Sequence, residues 1–367
     1  MARTATAVIK LNAIKQNYLY AKSLAKPAKA IATVKANAYG HGAIEVATAL
    51  ADVADAFGVA CIEEAKELRD AGIKQPILLL EGFFTADELT YISENNLWCV
   101  IHTQYQLDAI KKAQLTKPIN VWLKMDSGMH RLGFLPDEYA HAWQQLDQMN
   151  QVDQIVHMSH FSSADDVNSS ATQRQTALFL NTINHLPGAI SLANSSAILT
   201  NAVNSANTVR DIKNSWIRPG IMMYGASPVE DNDIANTLKP AMLFNAKVIA
   251  QRTVNINDGV GYNALWKAKS TTQIGTVSIG YADGYPRHAA NGTPVYINGK
   301  KSRILGRVSM DMLMVDLSMF EGQNCVGFDV ELWGNNILAN QVAKYSETIA
   351  YALFCGLTRR VNKQYIS

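Results

Sequence analysis

The chain has 367 residues, 48% of them hydrophobic, enough to bury a sizeable core and to divide into two domains. Lys and Arg outnumber Asp and Glu by 33 − 31 = +2, with no block of like charge, so the electrostatic footprint of a nucleic-acid binder is missing. No apolar stretch is long enough to span a bilayer, and Met1-Ala-Arg-Thr-Ala-Thr6 lacks the apolar core and cleavage site of a secretory signal, so a cytoplasmic protein without a membrane partner is expected.

From residue 30 onward, short apolar runs rich in β-branched residues alternate with stretches of helical period. Eight such runs are expected as strands: Ala30–Val34, Phe57–Ala60, Pro76–Leu80, Trp98–Ile101, Asn120–Met125, Gln154–Phe161, Ala189–Ala193 and Ser215–Ile221. Helices are expected between them, among them Ile62–Arg69, Thr85–Ile92 and Ala171–Ile183. Eight parallel strands with intervening helices over roughly 200 residues suit a TIM (β/α)8 barrel, the α/β architecture expected here, with a doubly wound open sheet as the alternative.

After Pro240 the pattern changes to glycine-punctuated alternation, which predicts strands at Met242–Val254, Gln273–Ile279, Thr293–Ile297, Arg303–Leu317 and Gly327–Leu332, followed by a helix over Ala339–Tyr351. The expected division is therefore a barrel over residues 10–235 and a mainly β domain over 236–367, joined by residues 1–9. Cys61, Cys99, Cys325 and Cys355 lie far apart without a C-x-x-C pair and are expected to be buried, reduced thiols.

Barrel enzymes place their reactive groups at the C-terminal ends of the strands. Run one ends in Lys35, followed by Ala36-Asn-Ala-Tyr-Gly-His-Gly42, whose glycines permit a tight turn. Run five leads through Lys124 and Asp126 to Arg131. Run six ends in Ser159-His-Phe161, run seven in Asn194-Ser195, and run eight carries Arg218-Pro-Gly-Ile221. Barrels often hold a phosphate after strands seven and eight on backbone N–H groups and small hydroxyls, a task that suits Ser195, Gly220 and Ile221. A strand-end lysine facing such a site suggests pyridoxal 5'-phosphate (PLP) attached to that amine, with Arg218 in reach of the pyridine nitrogen. His157 and His160 lie three apart on a strand and point to opposite faces, so they do not share a metal ion. No Walker-type G-x-x-x-x-G-K-[ST], H-E-x-x-H or G-x-S-x-G is present.

Ala32-Thr-Val-Lys35-Ala-Asn-Ala-Tyr39-Gly-His-Gly42 resembles the PLP-attachment motif of alanine racemases. The resemblance continues in order through Leu123–Arg131, Ser159–Phe161, Ala193–Ser195, Arg218–Ile221, Gly259–Tyr262, Ile279–Gly284 and Gly306–Asp311, nearly the whole chain. It implies a cytoplasmic homodimer that interconverts L- and D-alanine. Lys35 would carry PLP and act on one face of the substrate α-carbon, and Tyr262 of a partner subunit on the other. Arg218 would meet the pyridine nitrogen, positioned by His160. Tyr39, Ser195, Gly220, Ile221 and Tyr351 would hold the phosphate, with Asn194 beside them. Arg131 and the Met310 backbone would receive the substrate carboxylate, with Asp311 adjacent, and Tyr281 would limit side-chain size.

The same resemblance puts Tyr281, Arg287, Arg307, Ile349 and Asp165 along the substrate access channel, and Lys124 at a position carbamylated in many members. Asn263 stands where glycine is usual, and Val361-Asn-Lys363 where Val-Pro-Arg is common. Broader amino-acid racemases, barrel decarboxylases and a non-catalytic PLP carrier are the alternatives. Turnover on serine, lysine and arginine, carbon dioxide release, and retention of activity without Tyr262 discriminate them.

Overall fold

A computed structural model describes residues 4–200, 215–229 and 237–367. The chain forms two compact units: Ile14–Ala38 with Gly42–Leu238, and Met1–Ala13 with Tyr39–His41 and Lys239–Ser367. The chain opens with β1 (Thr6–Lys10), whose alternation buries Ala7 and Ile9 completely.

The first unit is an eight-stranded parallel sheet built from β2 (Lys29–Thr33), β3 (Ala56–Val59), β4 (Ile77–Leu79), β5 (Leu97–Ile101), β6 (Ile119–Lys124), β7 (Val152–Met158), β8 (Ala189–Ser191) and β9 (Trp216–Ile217). Each of β2 to β8 pairs in parallel with its neighbour in sequence. The sheet closes because β9 returns to β2 through Lys29↔Trp216 and Ala30↔Ile217, and Ser215 bridges to Ile190 on β8. Closure makes it a barrel, not the open sheet weighed as the alternative.

One face of every barrel strand points inward, so period-2 positions from successive strands meet. Ile31, Ala56, Leu78, Val100, Trp122, Val156 and Met158 form that shared core. At one level of it Trp98, Trp122 and Trp216 pack with ring centroids 5.3–6.1 Å apart. Helices Ala43–Leu50, Ile62–Asp70, Glu88–Glu94, Gln104–Lys112, Pro136–Asp147 and Ala171–Thr182 connect the strands. The helix expected from Thr85 begins at Glu88 instead, because the Glu88 carboxylate accepts the N–H groups of Phe84 and Thr85 at 3.0 Å and holds that stretch as a turn.

The second unit combines β1 with β10 (Met242–Val254), β11 (Gly259–Val260), β12 (Trp266–Lys267), β13 (Thr272–Val277), β14 (Pro294–Ile297), β15 (Lys300–Leu305), β16 (Leu313–Asp316), β17 (Asp329–Trp333) and β18 (Asn362–Ile366). Its main sheet runs β13-β16-β15-β14-β17-β10-β1-β18, and the long β10 also pairs with β13, so the sheet curls back on itself. The pairs are antiparallel except β1 with β18. Asn362 donates its N–H to the Ala5 carbonyl at 3.3 Å, a bond that proline in its place would lack.

Three further expectations need correction. Arg303–Leu317 is two strands, since Gly306 at φ +72° turns the chain into a loop that carries Met310 and Asp311. Ala339–Tyr351 is two helices, Ala339–Tyr345 and Ala350–Cys355, broken where Glu347 adopts φ +46°. Cys99 and Cys325 are buried, whereas Cys61 is half-buried and Cys355 exposed; all four are free thiols.

Candidate active site

Lys35 follows β2 by two residues, at the C-terminal end of the barrel. The four residues after it, Ala36, Asn37, Ala38 and Tyr39, all take φ of 52–53°, a complete turn of left-handed helix without a glycine. That conformation costs L-residues about 1–2 kcal/mol each, so it persists only where its surroundings over-determine it. The Ala38 N–H reaches the Val34 carbonyl at 2.7 Å, the Gly42 N–H the Asn37 carbonyl at 3.0 Å, and the Asn37 side chain accepts the Ala43 N–H at 2.8 Å. Tight turning was expected from Gly40 and Gly42; the turn itself is made by their alanine and asparagine neighbours.

Four cations gather at this end of the barrel. Lys124, the last residue of β6, is only 5% exposed, and its amine makes no hydrogen bond or ion pair among the described residues. Burial first, then the charges of Arg218, Arg131 and Lys35, push its amine down to about 8, with only Asp126 opposing. Arg131 stands on the loop after β6, exposed and without a protein acceptor among the described residues. The loop is shaped by Asp126, whose Oδ1 accepts the N–H groups of Gly128, Met129 and His130 at 2.9–3.1 Å.

Arg218, directly after β9, is 5% exposed. Its Nη2 donates to the carbonyls of Ser159 at 2.7 Å and Leu192 at 3.3 Å and reaches His160 Nδ1 at 3.3 Å, while Nη1 donates to Ser191 Oγ. Nε has no protein acceptor among the described residues. Burial lowers this guanidinium to about 9, which leaves it cationic at neutral pH. Burial, and then Arg218, Lys124, Arg131 and Lys35, push the His160 imidazole down to about 2, so it is neutral. Because arginine only donates, Nδ1 is the accepting nitrogen of His160. His157, on β7, turns to Tyr139 Oη at 3.0 Å and the Pro187 carbonyl at 3.1 Å, whereas His160 lies two residues beyond the end of that strand rather than on it as expected.

Asn194 caps the short helix Ser195–Leu199 by accepting the Ala197 N–H at 3.0 Å, and its Nδ2 lies 3.5 Å from His160 Nε2. Ser195 Oγ accepts the Gly220 N–H at 2.8 Å and the Met222 N–H at 3.4 Å, which draws the segments after β8 and β9 together. Ile221, fully buried, begins a single 3-10 turn, Ile221–Tyr224.

In the other unit, Tyr39 and Tyr351 stand with ring centroids 5.9 Å apart. Burial, then Tyr351 and Cys355, raise the Tyr39 phenol, so it is protonated and able to donate. Tyr281 and Met310 meet through backbone: the Tyr281 N–H bonds the Ser309 carbonyl and the Ala282 N–H the Met310 carbonyl, each at 3.0 Å. Asp311 pairs with Arg360, which also reaches the fully buried Asp283. Tyr262 lies on a separate 3-10 turn after β11 and is 67% exposed; Met310 is exposed too.

Reading by residue type missed Ser191 and Glu64, and it named Ser159 at the end of run six without giving it a role. Ser159 and Ser191 fix Arg218, and Glu64 accepts N–H groups at the ends of two barrel strands. Glu64 follows Cys61 by three residues at the start of a helix, a capping-box spacing that could have drawn attention to it.

Family profiles for the alanine racemase N-terminal domain and C-terminal domain match residues 9–228 and 241–365. An alanine racemase of Pseudomonas syringae pv. syringae (strain B728a) is 50% identical, over 99% of each chain. The crystal structure of the biosynthetic alanine racemase from Pseudomonas aeruginosa matches with a TM-score of 0.93 and 45% identity, covering 100% of each chain. That of alanine racemase from Bartonella henselae with covalently bound pyridoxal phosphate matches with a TM-score of 0.86 and 29% identity over 99% of each chain. The chain belongs to the alanine racemase family, whose members are PLP-dependent isomerases.

Proposed function

We propose that this chain racemises alanine with PLP held on Lys35, and that the two bases come from two copies of the chain, Lys35 of one and Tyr262 of its partner. The observation that carries the reading is the gathering of Lys35, Lys124, Arg131 and Arg218 at one barrel end, where burial and then the charges of Arg218, Arg131 and Lys35 push Lys124 down to about 8. Such a site calls for anions, and PLP with an amino acid brings a phosphate and a carboxylate.

The residues fit the cofactor. Arg218 has Nε without a protein acceptor among the described residues, a donor for the pyridine nitrogen; Ser195, Gly220 and Ile221 offer a hydroxyl and a turn of backbone for the phosphate, and Tyr39 and Tyr351 are the further donors. Bound to Lys35, PLP supplies an electron-withdrawing ring that makes the substrate Cα–H acidic. Arg218, a permanent donor, leaves the ring nitrogen unprotonated, which limits delocalisation and disfavours transamination. His160, held neutral, adds no competing proton and orients Arg218. Arg131 takes the substrate carboxylate in its planar fork, together with the Met310 backbone, with Asp311 next in sequence to Met310 and Tyr281 as the limit on side-chain size.

The Lys35 amine and the side-chain oxygen of the partner subunit's Tyr262 face opposite sides of Cα, so one removes a proton while the other returns one, which inverts the centre. Exposure of Tyr262 and Met310 on the single chain supports their service to a second copy. The barrel thus binds cofactor and substrate, and residues 236–367 with 1–9 furnish the second base.

Incubation of purified protein with L-alanine, following the D-isomer with and without added PLP, tests the activity; serine, lysine and arginine test its breadth. Tyr262→Phe is expected to retain the yellow cofactor and to lose roughly 100-fold or more of turnover, with an altered pH profile. Full activity in that variant would remove the second base, and failure to convert alanine would remove the whole reading.

A further inference from the structure

The left-handed turn after Lys35 ends β2, yet one of its amides is satisfied from elsewhere. Glu64 lies in the first turn of the helix Ile62–Asp70, which follows β3. Its Oε1 accepts the Ala36 N–H at 2.7 Å and its Oε2 the Ala60 N–H at 2.8 Å. Ala36 is the first left-handed residue, adjacent to Lys35, and Ala60 is the first residue past β3. One half-buried carboxylate therefore ties together the C-terminal ends of two neighbouring barrel strands.

We propose that Glu64 is a positioning residue, whose carboxylate holds the left-handed turn in register and so sets the direction of the Lys35 amine. The argument is one of geometry. The β2–β3 ladder carries the Val34 N–H to the Gly58 carbonyl at 2.8 Å, and beyond that point regular pairing stops. The next amide, that of Ala36, belongs to a residue in a conformation that alanine avoids. A charge-assisted acceptor there stabilises the strained turn at its origin. The Ala60 bond fixes the carboxylate itself, since that amide leads into the helix bearing Glu64. A helix cap would need only the second of these bonds.

A glutamine at this position retains one accepting oxygen and turns an N–H donor toward the other amide, so the bridge is lost while size is preserved. The inference rests on Lys35 being the PLP-bearing amine. The test keeps the two claims apart: borohydride reduction of the wild-type holoenzyme and peptide mapping identify the labelled lysine, while hydrogen exchange at residues 34–40 of protein stripped of PLP reads the turn alone. In Glu64→Gln, exchange over that segment is expected to accelerate about 10-fold or more. In the reloaded variant the visible circular dichroism of the cofactor should shrink, and kcat should fall about 10- to 100-fold with KM for alanine within about twofold.

Glu64→Asp, which keeps the charge, should recover part of each loss, and remains the measurable variant if Glu64→Gln does not fold. Glu63→Gln, an exposed carboxylate on the same helix, should leave all readouts unchanged. Unaltered exchange, dichroism and kcat in folded Glu64→Gln or Glu64→Asp, with only a lowered Tm, would reduce Glu64 to a helix cap and overturn the proposal. A label on another lysine would instead overturn the assignment of Lys35.

Discussion

Lys124 joins burial to function at the scale of one residue. Its amine is pushed from 10.5 down to about 8, so folding releases its proton across that interval. The destabilisation is complete below pH 8 and fades as the pH rises through 8 to 10.5; the full effect is on the order of 3 kcal/mol. The same depression gives a neutral amine population at neutral pH that an ordinary lysine lacks. With carbon dioxide its lone pair would form an N–C bond and lose a proton to solvent, and the resulting carbamate anion would offset the charges of Arg218 and Arg131 that act on this amine. Bicarbonate is therefore expected to raise the Tm and the activity of the wild type measured in carbon-dioxide-free buffer, and to leave Lys124→Met unchanged. Equal response of both, or none in the wild type, would remove the carbamate.

Asn263 shows a residue-scale departure that the structure explains. It replaces a usual glycine beside Tyr262, yet its backbone sits at φ 59° and ψ 16°, a left-handed geometry that asparagine tolerates better than other non-glycine residues. The presentation of Tyr262 is thus compatible with the substitution.

Strands and loops carry the next level. The eight barrel strands were legible because each is a short apolar run between helical periods, and the strand-end rule then located Lys35, Lys124, His160, Ser195 and Arg218. What the sequence concealed was conformation without a compositional mark. Ala36 and Ala38 give no sign of a left-handed turn, and the bend between β15 and β16 depends on one glycine inside an apolar stretch. Glu64 is one of three glutamates on the helix Ile62–Asp70, and its role shows only where two backbone amides meet it.

The loop after β6 was read only as the bearer of Arg131, whereas its shape is due to the three amides gathered by Asp126. Asp126→Ala should therefore raise KM for alanine about 10-fold with a smaller change in kcat, and Asp126→Asn, which keeps an accepting oxygen, should fall between. Unchanged steady-state constants in Asp126→Ala would detach that carboxylate from Arg131. In the motif after Lys35, Gly40→Ala would drive a Cβ into the Phe354 carbonyl oxygen at φ +78°, and should cost about 3 kcal/mol or more of stability by denaturant titration.

Over the whole molecule, the chain's two units divide the labour. The barrel unit gathers the cations and the lysine, and the β unit exposes a tyrosine that a single copy leaves in solvent. The sequence yielded both units because strand period and glycine spacing change at Pro240, whereas the pairing of Lys35 with Tyr262 of a partner subunit came from the family resemblance alone, since assembly leaves no mark in local periodicity. A shared site is open to a direct measurement by complementation. Lys35→Ala and Tyr262→Phe are each expected to be nearly inactive, and unfolding and refolding them together in equal amounts yields hybrid dimers with one intact site each. The mixture should recover about a quarter of wild-type turnover, since about half of the dimers are hybrids and each uses one of its two sites. Turnover that stays at the level of the separate variants, in a mixture shown to contain hybrid dimers, would contradict a site built from two chains.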